Sequence, residues 1–186
     1  MQMTGSRTVP ASVEATWAAL NDPEALKSCI AGCESVERVS DTEFRVAMTA
    51  RVGPVSAKFS GRILLADLVP PTSYRLSFEG QGGAAGFARG EATVALTREP
   101  DATRIDYTAT AQVGGKLAQI GSRLVDATAA KVADDFFARF AERLGGGAAA
   151  PAAGPKPPAM RALWWRLALA LAIIVAIAVY WLTRRG

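Results

Sequence analysis

Thirty residues from Gly115 to Leu144 run without a proline, and apolar side chains recur along them at Leu117, Ile120, Leu124, Val132, Phe136, Phe140 and Leu144. Thr128 fills the one gap, and Val125, Ala129, Ala133 and Phe137 widen the stripe. Spacings of three and four place such residues on one face of a helix. Arg123, Asp126, Asp134, Arg139 and Glu142 take the other side, and Gly145-Gly146-Gly147 supplies the stop that commonly follows a helix end. A helix over this whole stretch is about 45 Å long at 1.5 Å per residue. That length needs one continuous apolar surface to lie on, and the partner it calls for is a sheet curved around it.

The preceding segments have the period of strands. Phe44, Val46, Met48 and Ala50 alternate with polar neighbours, as do Val55, Ala57, Phe59, Gly61 and Ile63. Tyr74, Leu76 and Phe78 follow, then Ala92, Val94 and Leu96, then Ile105, Tyr107, Ala109, Ala111 and Val113. One face to a core and one to water is the mark of an antiparallel sheet. Turn residues separate the runs at Ser40-Asp41, Gly53-Pro54, Pro70-Pro71, the glycines of 80–86 and Pro100-Asp101. Before them, Met1 to Pro10 reads as a first strand. Ser12 starts a short helix carrying Val13, Trp17 and Leu20. Asp22 and Pro23 start another, carrying Ala25, Leu26 and Cys29. Strand, two short helices, about six strands and one long helix make an α+β domain over residues 1–144.

The net charge of +4 does not belong to that domain. Residues 1–144 hold 16 Lys/Arg and 17 Asp/Glu, a net of −1, which argues against a nucleic-acid partner. Residues 145–186 hold Lys156, Arg161, Arg166, Arg184 and Arg185 and no acid. Of these, 145–162 is a Gly/Ala/Pro-rich linker. Residues 163–182 carry Arg166 as their only charge, with Trp164, Trp165, Tyr180 and Trp181 at the two ends, and 183–186 is a basic tail. About 20 apolar residues cross a bilayer core, and aromatic belts mark its interfaces. The expectation is a single-pass cell-membrane protein with a C-terminal transmembrane helix. Arg166 snorkels to the interface. Basic residues on the near side and the lack of an N-terminal signal-like stretch place the domain in the cytoplasm.

Catalysis finds little support. The chain has no histidine, so the usual general base is missing. Cys29 and Cys33 lack the ligand company of a zinc site. Glu43, Glu79, Glu91 and Asp106 fall on the polar phase of their strands. The glycines from Gly80 to Gly83 lead into a strand rather than a helix, so the near match to a dinucleotide fingerprint lacks its geometry. Small residues dominate the inward phase instead: Gly61, Gly90, Ala57, Ala92, Ala109 and Ala111, opposite Gly121, Ala129 and Ala133. Small residues face to face make either a tight interface or an apolar cavity. For a cavity, the expected lining is Trp17, Leu20, Leu26, Met48, Phe59, Phe78, Phe87, Tyr107, Leu117, Ile120, Gly121 and Leu124, with no catalytic and no metal-binding residue. Tyr107 is the one clear inward group an enzyme would use. On this expectation Gly121→Leu closes the cavity while gaining helix propensity, and Leu124→Ala costs about 2–5 kcal/mol if its site is packed.

The layout resembles the START/Bet v 1-like helix-grip fold of the SRPBCC superfamily. Three stretches resemble CoxG, the family named for the G component of carbon monoxide dehydrogenase. They are Trp17 to Leu26 with Gly32-Cys33-Glu34, Val52-Gly53-Pro54-Val55 with Phe59-Ser60-Gly61, and Gly114 to Gly121 with Arg123-Leu124. Ala31 departs from the proline expected before Gly-Cys-Glu. The resemblance implies a non-catalytic accessory protein. It would bind a lipophilic molecule such as menaquinone or ubiquinone, with no covalently bound cofactor. It would attach a molybdenum hydroxylase of the carbon monoxide dehydrogenase type to the lipid bilayer. Two other functions remain open: a lipid or hydrophobic-metabolite carrier without an enzyme partner, and a cyclase-like enzyme of the same superfamily.

Overall fold

The computed structural model describes residues 1–145. The strands are β1 (Gln2–Val9), β2 (Cys33–Ser40), β3 (Glu43–Val52), β4 (Val55–Val69), β5 (Ser73–Gln81), β6 (Phe87–Glu99) and β7 (Ala102–Gly114). They form one antiparallel sheet in the order β1-β7-β6-β5-β4-β3-β2. The alternation read from the sequence is its face pattern: Phe44 is buried and Val46, Met48 and Ala50 half-buried, while Arg45, Thr49 and Arg51 are exposed. A two-residue turn joins β3 to β4. Val52 pairs with Val55, and Gly53 between them has φ +55°, the backbone hand that two-residue hairpins demand.

Helices α1 (Val13–Leu20) and α2 (Pro23–Cys29) fill the crossover from β1 to β2. Ser12 caps the first, its Oγ accepting from Ala15 N at 3.2 Å. Asp22 caps the second, accepting from Glu24 N at 3.4 Å and Ala25 N at 3.0 Å, ahead of Pro23. Both caps fall where the sequence places them.

The C-terminal helix is not continuous. A four-residue α3 (Lys116–Gln119) is followed by Ile120 and Gly121, and α4 runs from Ser122 to Arg143. Gly121 breaks the run with φ +96° and ψ 143°, a conformation almost reserved for glycine. Apolar periodicity carries no record of such a break, because the stripe resumes on the far side. The 22 residues of α4 span about 33 Å, not 45 Å. The expectation for Gly121→Leu therefore reverses. Gly121 is exposed, and a Cβ there meets nothing within 4 Å, so a leucine cannot fill a cavity from this position. We expect Gly121→Leu to destabilise the domain by about 1–3 kcal/mol through backbone strain, with ligand affinity unchanged. Urea melts and ligand titration check the two halves of that statement.

Packing along α4 is uneven. Phe137, Phe140 and Ala141 are its buried residues. They join Val9, Val13, Leu20, Cys29, Tyr74, Leu96 and Ile105 in one core cluster. Polar ties hold this half. Arg7 of β1 pairs with Asp134, and Arg143 reaches Ser28 Oγ at 3.3 Å and Asp22 at 3.7 Å. Arg7 is an inward-facing cation, and its guanidinium lies 5.9 Å from the centre of the Phe137 ring. In the N-terminal half the large side chains are left open: Leu124 is 42% exposed and Val132 44%. Leu124 is thus not the packed mid-helix residue that a cost of about 2–5 kcal/mol presumes.

Candidate functional site

Where α4 stands off the sheet there is a cavity of about 380 Å³. The inward phase of the sheet builds one wall, from Val46, Met48, Ala50 and Val52 on β3, Phe59, Gly61 and Ile63 on β4, Phe78 and Gly80 on β5, Ala88 on β6, and Ala111 and Val113 on β7. Met1 and Ile30 close the sides. Leu117 of α3 and Val125, Thr128, Ala129 and Val132 of α4 form the roof. Small residues make the space: Gly61 pairs with Gly80, and Gly80 with Ala88, across three adjacent strands. Gly61 also permits a close approach, since a Cβ there would sit 2.3 Å from Glu79 O.

The wall is almost free of polar side chains. The Thr128 hydroxyl donates to Leu124 O at 2.8 Å, so its proton is already engaged within the helix. Arg62 and Glu79 border the cavity beside the glycines but belong to the outward phase, where they pair at 3.7 Å. A larger hollow of about 530 Å³ lies on the outer face of the sheet, bordered by Arg62, Ser77, Glu79, Arg89, Glu91, Thr110 and Gln112. Part of its polar rim is internally satisfied, Arg89 Nη2 donating to Gln112 Oε1 at 3.1 Å beside the Arg62–Glu79 pair. The apolar cavity is the better candidate, because a dry concave wall is what an apolar ligand requires. Among the described residues no group of three or more Cys, Asp or Glu is placed to hold a metal ion.

Of the twelve residues expected to line a site, the structure brings Met48, Phe59, Phe78 and Leu117 to this cavity. Trp17 and Leu20 lie instead at the packed end, Trp17 edge-on to Tyr74 at 5.5 Å. Tyr107 is there too, stacked on Phe137 at 5.2 Å, and burial raises its phenol pKa. Leu26 is half-buried on α2, outside the lining. Phe87 lies along Gly114, under the Arg89 guanidinium. Ile120 and Leu124 meet the β3–β4 turn at Gly53, and Gly121 is exposed with open space around it. Of the small residues, Gly61, Ala111 and Ala129 line the cavity, whereas Gly90, Ala57, Ala92, Ala109 and Ala133 do not. Val46, Ala50, Ile63 and Val113 were missed as cavity-lining residues, although their inward phase was plain. The missing information was which end of each strand stays hollow.

A seven-stranded antiparallel sheet folded around a C-terminal helix, with an apolar cavity between them, defines a START-like fold. The family model for CoxG, the G component of carbon monoxide dehydrogenase, matches residues 5–145, and the chain belongs to that family. Solved structures agree on the fold. A conserved protein from Geobacillus kaustophilus is 32% identical with a TM-score of 0.73, over 77% of this chain and 95% of that one. A START superfamily protein from Mycobacterium smegmatis is 14% identical with a TM-score of 0.59, over 77% and 96%. The Zhui aromatase/cyclase from Streptomyces sp. R1128 is 12% identical with a TM-score of 0.57, over 77% and 93%. No curated protein matches the chain. The Geobacillus protein consists almost wholly of the matched region, and here the sheet and core close within residues 1–145. Residues 1–147 are accordingly expected to fold alone, and circular dichroism of the truncated chain checks this. Among the described residues no helix is long and apolar enough to cross a membrane. The linker, the expected span at 163–182 with Trp164, Trp165, Arg166, Tyr180 and Trp181, and the basic tail lie outside the described residues.

Proposed function

We propose that this protein is a non-catalytic accessory component that holds a quinone in the cavity beneath α4. In this role it joins a molybdenum carbon monoxide dehydrogenase-type enzyme to the cell membrane, so that electrons from the soluble enzyme reach a lipid-soluble acceptor. The observation that carries the reading is the wall itself: about 380 Å³ lined by apolar side chains, with one hydroxyl already engaged. That volume lies within the range of small-molecule sites, about 300–1,000 Å³. A quinone ring is flat and mostly apolar, and its isoprenoid tail wholly so. A cyclase needs acid and base groups at its substrate; the carboxylate that borders this cavity, Glu79, is on the outward phase and paired with Arg62 at 3.7 Å, which favours binding over catalysis. The family name supports a dehydrogenase partner. The transmembrane span expected at 163–182 would keep the domain at the bilayer.

The test is a titration of residues 1–147 with a short-chain menaquinone or ubiquinone analogue, paired with native mass spectrometry of the full chain purified from membranes. Saturable one-to-one binding and co-purification of a dehydrogenase support the proposal. Binding of lipids or other apolar metabolites without a dehydrogenase would make the protein a carrier. Absence of quinone binding would leave only an anchoring role.

A further inference from the structure

The hollow end of the domain has a surface unlike that of the packed end. The β3–β4 turn, α3 and the first turn of α4 converge there. A Cβ on Gly53 would lie 2.6 Å from Leu124 Cδ2 and 3.8 Å from Ile120 Cγ2, so the turn touches the α3–α4 junction. Just inside this contact, Val52, Leu117 and Val125 line the cavity. On the outside, Pro54 and Leu124 are exposed apolar groups.

Basic residues outnumber the neighbouring acids, Glu34 and Asp126, at this end. Stretches 49–58 and 115–125 contain Arg51, Lys58, Lys116 and Arg123 and no acid. Lys58 is occupied by Glu34 at 3.0 Å. Arg51, Lys116 and Arg123 are exposed and make no ion pair among the described residues, and the nearest acid along α4 is Asp126. At the packed end two arginines are neutralised, in Arg98–Glu14 and Arg143–Asp22. The positive end of α4 adds to the asymmetry. Its N-cap is Gly121, whose lack of a side chain leaves the first-turn N–H groups uncapped.

We infer that this end of the domain docks on an anionic phospholipid bilayer. Arg51, Lys116 and Arg123 meet lipid phosphates, and Pro54 and Leu124 enter the headgroup layer. Basic residues interleaved with exposed apolar ones are the composition of interfacial binding. A domain with a net charge of −1 has no general attraction to anionic lipid, so the local cluster must supply it. This deepens the proposed function by naming the surface through which a lipophilic ligand passes. Between the β3–β4 turn and the α3–α4 junction, a ligand moves from bilayer to cavity without crossing water.

Vesicle co-sedimentation of residues 1–147 tests the inference. The domain is expected to bind vesicles of equal phosphatidylglycerol and phosphatidylcholine, to ignore pure phosphatidylcholine, and to dissociate as salt rises. Arg51→Glu/Lys116→Glu/Arg123→Glu should weaken binding about a hundredfold or more. Lys27→Glu/Arg45→Glu/Arg139→Glu, with the same change in net charge elsewhere, should weaken it less than about threefold. Both variants should take up the neutral probe N-phenyl-1-naphthylamine like the parent. That readout reports the cavity alone, so failure to dock is distinguishable from failure of the ligand-binding reading. If the glutamate variant does not fold, Arg51→Ala/Lys116→Ala/Arg123→Ala decides the matter, with an expected loss of about tenfold or more. No vesicle binding by the parent, equal losses in the two triple variants, or equally tight binding to polyglutamate would overturn the inference.

Discussion

Gly80→Leu is expected to leave the domain folded and to weaken binding of a menaquinone or ubiquinone analogue at least tenfold, equivalent to about 1.4 kcal/mol. Gly80 is on the inward phase of β5 and lines the cavity. A Cβ there meets only Ala88 O at 3.9 Å, an ordinary contact, and its φ is not in the left-handed region. The strand therefore accepts a side chain, and its paired neighbours Gly61 and Ala88 are too small to block it. The remaining leucine atoms must then occupy space that the ligand needs. Neighbouring glycines do not offer the same experiment. A Cβ at Gly61 would sit 2.3 Å from Glu79 O, and one at Gly90 2.1 Å from Thr110 O, so both substitutions push against backbone. Calorimetric titration with circular dichroism as the folding control measures the effect. Unchanged affinity in a folded Gly80→Leu domain would move the ligand out of this cavity.

Phe140→Ala is expected to cost about 3–5 kcal/mol, the usual range for removing a fully buried phenylalanine. Phe140 is 0% exposed, stacks on Phe136 at 5.6 Å and joins the cluster that includes Val9 and Ile105. Small domains have about 5–15 kcal/mol in total, so the variant should sit close to its unfolding midpoint under mild denaturant. The companion measurement is Leu124→Ala, which should lose no more than about 1 kcal/mol from its open position. Both lie on the apolar stripe of one helix, and pattern alone assigns them the same weight. Equal losses would mean that the cavity end is packed as tightly as the core.

Strands β3 to β7 were legible because each has its inward face marked by period-two alternation, and turn residues separate them. The caps at Ser12 and Asp22 were legible for the same reason: the chemistry is local. The break at Gly121 was hidden, since a glycine inside an apolar stripe has the same appearance whether it is helical or in the positive-φ region. The site was legible only by phase. Alternation says that Tyr74 and Phe78 face the same way, but not that the first belongs to a packed core and the second to a cavity. That distinction depends on what lies opposite. Trp17, Tyr74 and Phe140 meet at one end, whereas Gly61, Gly80 and Ala129 meet at the other. Arg7 was missed because the alternation of β1 is weak and an inward arginine contradicts its pattern. Its partners Asp134 and Phe137 are more than a hundred residues away in sequence.

The uneven anchoring of α4 divides the helix for hydrogen exchange. Amides around Phe137 to Ala141 are held by the same side chains that hold the sheet together, so their protons exchange only when the domain unfolds globally. Amides from Val125 to Val132 lie over the cavity, and a local opening that leaves the core intact is enough to release them. A molecule bound there, as proposed, would supply contacts that the side chains leave out. Ligand binding is then expected to raise protection selectively in the first half of α4, the occupant standing in for part of the hydrophobic core.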